Sequence, residues 1–90
     1  MTIFIDAPNW PGHGRYWSHL ISDRSVQELH DFAAGVGIPR RAFDKDHYDV
    51  PDVRFTDCLS AGAQVRRSRD LVAMLDAAGL RRRRRSRLAP

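Results

Sequence analysis

The sequence predicts a small α/β domain in which about three helices pack on a sheet of three to four mainly parallel strands. Short apolar or β-branched segments alternate with segments of helical periodicity, which is typical of parallel strands joined by crossover helices. At 90 residues, the chain is long enough for one core but too short for a full dinucleotide-binding domain or an eightfold barrel. We expect residues 1–80 to form the domain and residues 81–90 to form an arginine-rich tail.

The N-terminal quarter of the chain predicts two extended segments separated by an irregular one. The apolar run at residues 3–5 predicts the first strand. Residues 6–14 contain two prolines and two glycines, so we expect no regular element there. Aromatic and β-branched residues at 15–21 predict a second extended segment.

The first helix is predicted over residues 26–36. Ser25 and Glu28 have the spacing of a capping box, in which each side chain bonds to the other residue's backbone N–H. Apolar residues follow at helical spacing, and Gly37 predicts the stop.

The rest of the domain predicts a further alternation of elements. In order, we expect a strand at 40–43, a polar loop at 44–51, a helix from Pro51 or Asp52 to Gly62, a short strand at 63–67, and a helix that Ser68 caps and Gly79 ends.

Positive charge is concentrated at the C-terminal end. Of the fifteen basic residues, six are arginines in 81–90, which leaves nine against eleven acidic residues in 1–80, a net charge of −2. Such a block of like charges is usually solvated. The alternative interpretation is an arm that contacts the phosphates of nucleic acid or acidic lipid.

Several classes of protein are excluded by composition and motifs. No apolar stretch is long enough to span a bilayer, and the N-terminus lacks the basic region of a signal peptide. Cys58 is the single cysteine, so we expect a small core residue in a reducing cytoplasm. Phosphate-loop, dinucleotide-binding, metalloprotease and serine-hydrolase motifs are absent. The edges of so short a sheet favour a homodimer.

The densest polar cluster is the segment His47-Tyr48-Asp49. It follows a predicted strand and precedes a predicted helix, which in a parallel sheet is the rim where ligands bind. His47 is suited to act as acid, base or metal ligand, and Asp49 to orient it or bind a cation. Arg41 is suited to grip a phosphate or carboxylate. In the alternative interpretation, Asp49 only caps the second helix and His47 lies in solvent.

Other polar residues extend this prediction. Asp6 ends the first strand and would share the rim. His19, next to an apolar pair, is equally well explained as a buried structural histidine. His30, at the edge of a helix face, is better explained as a packed histidine than as a ligand. No pair of histidines has a ligand spacing, so a divalent metal is allowed but not indicated.

Three segments carry a resemblance to a known family: residues 10–15 (WPGHGR), 37–41 (GIPRR) and 46–51 (DHYDVP). On these, residues 1–80 resemble the domain of unknown function 4031, small proteins of which some come from actinobacteria and some from phages. The resemblance implies no activity. It implies that eight polar residues match family motif positions: Asp6, Arg15, His19, Asp23, His30, Arg41, His47 and Asp49. Such recurring residues are consistent with a site or with a network of buried hydrogen bonds.

Two hypotheses about function follow. The first is a domain that binds an anionic, phosphorylated small molecule, with metal-assisted hydrolysis or phosphoryl transfer as its chemistry. His47 and Asp49 would be catalytic, and Asp6, Arg15, His19 and Arg41 would bind the ligand. The second is a non-enzymatic module that binds nucleic acid or a protein, with the tail as its electrostatic arm.

Overall fold

The computed structural model of the protein describes residues 2–81. Its strands are β1 (Ile3–Ile5), β2 (Trp10–Gly12), β3 (Arg15–Ser22), β4 (Phe43–Asp44), β5 (His47–Pro51) and β6 (Gln64–Val65). Its α-helices are α1 (Val26–Gly35), α2 (Phe55–Ser60) and α3 (Ser68–Ala78). None of the helices formed by residues 2–81 has the length and apolar character that a membrane span requires. Except for Arg81, the predicted tail lies outside the described residues.

The strands form one mixed sheet of the order β4-β5-β3-β1-β6, and β2 pairs with β3. The α/β class is confirmed, but the predicted small and mainly parallel sheet is wrong. Between described strands, only β1 and β6 pair in parallel; the other four pairings are antiparallel. The physical reason is that β2–β3 and β4–β5 are tight hairpins, and a two-residue connection permits antiparallel pairing alone.

Strand β2 lies in the segment for which no regular element was expected. Pro11 is tolerated because β2 pairs only with β3, so its missing N–H leaves no gap in the sheet among residues 2–81. His13 and Gly14 turn the chain with φ of 51° and 75°, as a two-residue hairpin turn requires. The glycine is therefore a turn residue and not a break in the strand.

The second corrected region is the predicted strand at 40–43 and loop at 44–51. Residues Arg40–Ala42 form a single 3-10 turn, and the strands β4 and β5 follow it. In β5, the buried Tyr48 and Val50 alternate with half-buried polar neighbours. This period of two buries one side of the strand, which outweighs the polar character of the segment.

Helix α1 is confirmed. Ser25 caps it by accepting a 3.0 Å hydrogen bond from the backbone N–H of Glu28. The reciprocal bond of the capping box is replaced: the Glu28 carboxylate accepts from the hydroxyls of Ser22 and Thr2 instead. These bonds hold the start of α1 against the first and third strands.

The other two helices differ from prediction at their starts. Asp52–Arg54 form a 3-10 turn, so α2 begins only at Phe55. Helix α3 ends as predicted at Gly79, whose φ of 74° is left-handed. Ser68 does not cap α3, because its hydroxyl donates to Asp6.

The two faces of the sheet are covered differently. Helices α1 and α2 bury an apolar cluster on one face, which includes Leu20, Leu29 and Tyr48. Cys58 belongs to this cluster, and burial raises the pKa of its thiol to about 11, which confirms a core residue. On the opposite face, α3 packs on Phe4 and Ile21 and leaves the neighbouring part of the sheet open.

Candidate functional site

Three potential metal ligands converge on the open part of the sheet beside α3. His19 on β3 and Asp49 on β5 are directly opposed in the antiparallel register, and His47 precedes Asp49 by two residues on the same side of β5. One ligating atom from each residue lies within 4.8 Å of the other two. We call His19, His47 and Asp49 the triad. All three are partly buried.

Asp6 fixes the orientation of His19. Its carboxylate accepts hydrogen bonds from the backbone N–H of His19 at 2.6 Å and from the ring Nδ1 at 2.8 Å. The Ser68 hydroxyl donates at 2.6 Å and the Trp10 indole N–H at 3.3 Å. Because an ionised carboxylate only accepts, the ring carries its hydrogen on Nδ1, and Nε2 is left for a ligand.

These bonds also set the charge of Asp6. Burial raises the pKa of the Asp6 carboxyl, but the hydrogen bonds from His19 and Ser68 outweigh burial and hold the pKa below its usual value. Asp6 is 1% exposed, so its negative charge is held inside the domain by donors from β3 and α3. It is ionised at neutral pH and keeps His19 in one tautomer.

His47 has a similar partner. Its Nδ1 lies 2.8 Å from the Asp46 carboxylate and its Nε2 lies 3.2 Å from Asp49. Burial lowers the pKa of His47, but the hydrogen bonds to Asp49 and Asp46 outweigh burial and raise it to about 8. Asp46 is itself 3% exposed and also faces the Arg81 guanidinium at 3.7 Å. A cation at the triad would take the place of the Nε2 proton.

The three side chains are of types that could hold a metal ion. Two imidazoles and one carboxylate bind zinc and non-haem iron, and three protein ligands leave coordination positions for water or substrate. Each ring also bonds through Nδ1 to a buried carboxylate, the outer partner that metal-bound histidines usually have.

A large cleft of about 690 Å³ opens beside the triad and includes His19 and Asp49 in its wall. Trp10, His13 and Trp17 supply aromatic surface, and Arg41 and Arg54 supply positive charge. Its volume is in the range of small-molecule sites. The cleft therefore combines potential metal ligands, aromatic rings and guanidinium groups.

A small cavity of about 250 Å³ lies between the triad and α3. His47, Asp46 and Asp6 line it on the sheet side, and Ser68 and Arg81 line it on the side of α3. The two outer carboxylates thus lie behind the histidines that they hold.

The predicted site residues fall into three groups. Asp6, His19, His47 and Asp49 are brought together, although across the face of an antiparallel sheet and not at the rim of a parallel one. Arg41 lines the large cleft. Arg15 lies at the exposed end of the β2–β3 hairpin, outside the residues that line the cleft or the cavity.

His30 belongs to the other face of the sheet. Its Nδ1 lies 2.7 Å from the buried Tyr48 hydroxyl, and its ring meets Phe43 edge to face at 4.6 Å between centroids. Burial lowers the pKa of His30, which keeps the ring neutral. It is a packed histidine, one of the two interpretations that the sequence allowed.

Sequence reasoning missed several residues around the triad. These are Trp10, Trp17, Asp46, Arg54 and Ser68. Asp46 carried the clearest signal, because a carboxylate directly before a candidate histidine can orient it. Trp10 was hidden by its proline- and glycine-rich surroundings.

The comparisons with known proteins give one family. A family model described as "Protein of unknown function (DUF4031)" matches residues 3–78. No curated protein and no solved structure matches the chain. The match covers every residue of the triad and both outer carboxylates, and leaves the tail outside it.

Proposed function

We propose that this chain, which belongs to the family described as Protein of unknown function (DUF4031), is a metal-dependent hydrolase of small phosphate esters. The observation that carries the proposal is the convergence of His19, His47 and Asp49 within 4.8 Å. A chain that folds for stability alone gains little by placing two imidazoles, each tied to a buried carboxylate, beside an open cleft.

The ligand set favours a divalent transition ion over magnesium or calcium. Imidazole nitrogen suits zinc, iron and related ions, whereas magnesium and calcium prefer oxygen ligands. Zinc needs no redox partner for hydrolysis, so we take it as the working ion. Asp6 and Asp46 would raise the basicity of the two rings and fix their orientation.

A metal held by His19, His47 and Asp49 would supply a nucleophile at neutral pH by making water more acidic. The proton lost by the water would leave to solvent through the cleft. In the net reaction the oxygen of water would bond to phosphorus as the P–O bond to the alcohol breaks. The leaving oxygen takes a proton from water, so one ester and one water give one alcohol and one phosphate.

The arginines of the cleft would hold the anion. Arg41 lines the cleft, and no ion pair involves it among residues 2–81. A guanidinium binds two phosphate oxygens at once and offsets the charge that develops during transfer. In this proposal His47 holds the metal, one of the three roles that the sequence allowed, and does not act as the acid or base.

The first test is metal binding by the full chain. Isothermal titration calorimetry with Zn²⁺ and with Co²⁺ is expected to give one binding site per chain. The Co²⁺ complex is expected to show the visible absorption that is typical of a low coordination number. His47→Ala and Asp49→Asn are expected to weaken binding by more than about 100-fold. His13→Asn and Asp44→Asn are the matched controls, since neither residue belongs to the triad.

The second test is turnover of 4-nitrophenyl phosphate by the metal-loaded chain. We expect release of nitrophenol that depends on the metal and is lost in Asp49→Asn but retained in Asp44→Asn. If the triad variants bind the metal as tightly as the wild type does, the proposed metal site is wrong. Triad-dependent binding without hydrolysis of this ester or of inorganic pyrophosphate would overturn the hydrolase and leave the metal site in place.

A further inference from the structure

We propose that the ligand of the large cleft is a nucleotide, with its base against the two tryptophans and its phosphate toward Arg41 and the triad. The placement of the phosphate rests on the proposed function; the placement of the base rests on the cleft alone.

The chain's two tryptophans form one wall of the cleft. Trp10 on β2 and Trp17 on β3 are directly opposed in the antiparallel register. Trp10 is 47% exposed, which is a large apolar surface to leave in water unless something covers it. Tyr16, the other exposed aromatic residue of this hairpin, does not line the cleft.

Both indoles are anchored through their N–H groups. Trp10 donates to Asp6, and Trp17 donates to the carbonyl of Gly12 at 2.8 Å. The polar atom of each ring is therefore already used, and what the rings offer to a ligand is their apolar surface. Since these bonds fix the side chains, little conformational entropy is lost when a planar ring stacks on them.

Neither indole is covered by a parallel ring in its observed aromatic pair. Trp10 meets His19 with ring planes 70° apart, and Trp17 meets His13 with planes 79° apart. Edge-to-face contacts of this kind brace a ring without stacking on it. Trp10 also links the base position to the metal position, because it contacts both His19 and Asp6.

The aromatic wall and the guanidinium groups call for one ligand with two different parts. A planar ring explains the tryptophans, and an anionic group explains Arg41, which lines the same cleft as His19 and Asp49. A nucleoside monophosphate joins both parts, whereas a sugar phosphate lacks the ring and a nucleoside lacks the charge. The cleft of about 690 Å³ is large enough for a ligand of this kind.

Calorimetric titration of the full chain with adenosine 5′-monophosphate tests the inference, with adenosine, ribose 5-phosphate and a thymidine decanucleotide as comparison ligands. Titrations are run with and without Zn²⁺. Trp10→Leu is expected to weaken binding of the monophosphate by roughly five- to 150-fold, the effect of losing one base–aromatic stack. Tyr16→Leu, the matched control, is expected to leave it unchanged. Zn²⁺ affinity is measured in both variants.

The expected result is that the monophosphate binds more tightly than adenosine or ribose 5-phosphate. Equal affinity for ribose 5-phosphate, with no effect of Trp10→Leu, would overturn the nucleotide inference while leaving the hydrolase proposal open to its own test. Binding of the decanucleotide alone would also overturn it, in favour of a strand-binding surface. Tryptophan-dependent binding of the monophosphate by a chain that binds no Zn²⁺ would retain the nucleotide and overturn the hydrolase.

Discussion

The two faces of the sheet use alternate residues of the same strands for different purposes. Under α1 and α2, Leu20 and Tyr48 are at most 1% exposed and belong to one apolar cluster. Beside α3 lie the residues that directly precede them on the same strands, His19 and His47. These are partly exposed and hydrogen-bonded to carboxylates. The comparison shows how a small domain holds polar groups rigidly: the buried face fixes the strands, and the strands fix the site.

The largest expected effect contrasts two neighbouring residues of β5. Tyr48→Ala removes a buried ring from the apolar face and is expected to cost about 3–5 kcal/mol of unfolding free energy. His47→Ala removes a hydrogen-bond partner of the buried Asp46 on the site face and is expected to cost less, about 1–3 kcal/mol. Urea denaturation of both variants checks this.

Tyr48→Phe separates the ring from its hydroxyl. It keeps the packing but loses the hydrogen bond to His30, so we expect a loss of about 1 kcal/mol. If His47→Ala proved as costly as Tyr48→Ala, the site face would be a structural network and the contrast between the faces would fail.

The sequence predicted those parts of the fold that depend on local signals. Ser25 and Gly79 marked helix ends because capping and left-handed backbone need particular residues. The direction of the sheet depends on pairing between distant segments, such as His19 with Asp49, and no local pattern encodes it. Strand β5 was hidden because its outward residues His47 and Asp49 are polar, so the segment lacks the apolar character expected of a strand.

The residues of the candidate site were easier to choose from the sequence than the sheet that brings them together. Asp6, His19, His47 and Asp49 were chosen by residue type, and chemistry is a property of the residue whatever its strand direction. Asp46 was not chosen, because its role depends on the turn between β4 and β5 that places it at Nδ1 of His47. Arg15 was chosen from the resemblance alone, and it is not among the residues that line the cleft, although its strand partner Gly12 is.

The second prediction tests how far the site face depends on its outer carboxylates. Asp6→Asn keeps the size of the side chain, but its amide can present an N–H to His19 where an acceptor is needed. We expect Zn²⁺ affinity to fall about 10- to 100-fold, with the triad itself unchanged. Calorimetry against Asp23→Asn, a control outside the residues that line the site, measures the effect. Undiminished affinity would mean that Asp6 serves packing and not the metal.

The third prediction concerns the carboxylate that ties α1 to the sheet. Hydrogen bonds from Ser22 and Thr2 hold the pKa of Glu28 below its usual value of 4.5. A lowered pKa in the folded state means that Glu28 stabilises the fold above pH 4.5, and that this contribution is lost as the pH falls through the folded-state value. Glu28→Gln is expected to cost about 1 kcal/mol at pH 7.

The pH dependence is read from the difference between wild type and variant. Chemical denaturation between pH 3 and pH 7 is expected to show a difference in unfolding free energy between wild type and Glu28→Gln that narrows as the pH falls. The other carboxylates titrate alike in both proteins, so they cancel from this difference. Asp31→Asn, which removes an exposed carboxylate from the same helix, is the control and should show no such narrowing. If the difference in unfolding free energy stays constant with pH, the loss of stability in Glu28→Gln comes from the changed shape of the side chain and not from the loss of its charge.

The smallest expected effect on stability is that of removing the tail. The prediction asks whether Arg81 is the last residue that contributes to the site face. Arg81 lies 3.7 Å from Asp46 and lines the small cavity, whereas residues 82–90 have no apolar pattern to bury. Cutting the chain after Arg81 is therefore expected to leave the melting temperature unchanged, and cutting it after Leu80 to lower it slightly through the loss of a partner for a buried carboxylate. Thermal unfolding of both truncated chains against the full one measures this; a large loss of melting temperature on removing 82–90 would show that the tail is structural.

The full chain also tests the alternative function proposed from sequence, in which the tail is a nucleic-acid arm. In that case the affinity for duplex DNA should fall with salt at a log–log slope of about −0.9 per phosphate contacted, and the chain cut after Arg81 should lose its affinity for DNA. Salt-independent binding, or equal binding by the cut chain, would exclude the arm and leave the open sheet face to account for the ligand.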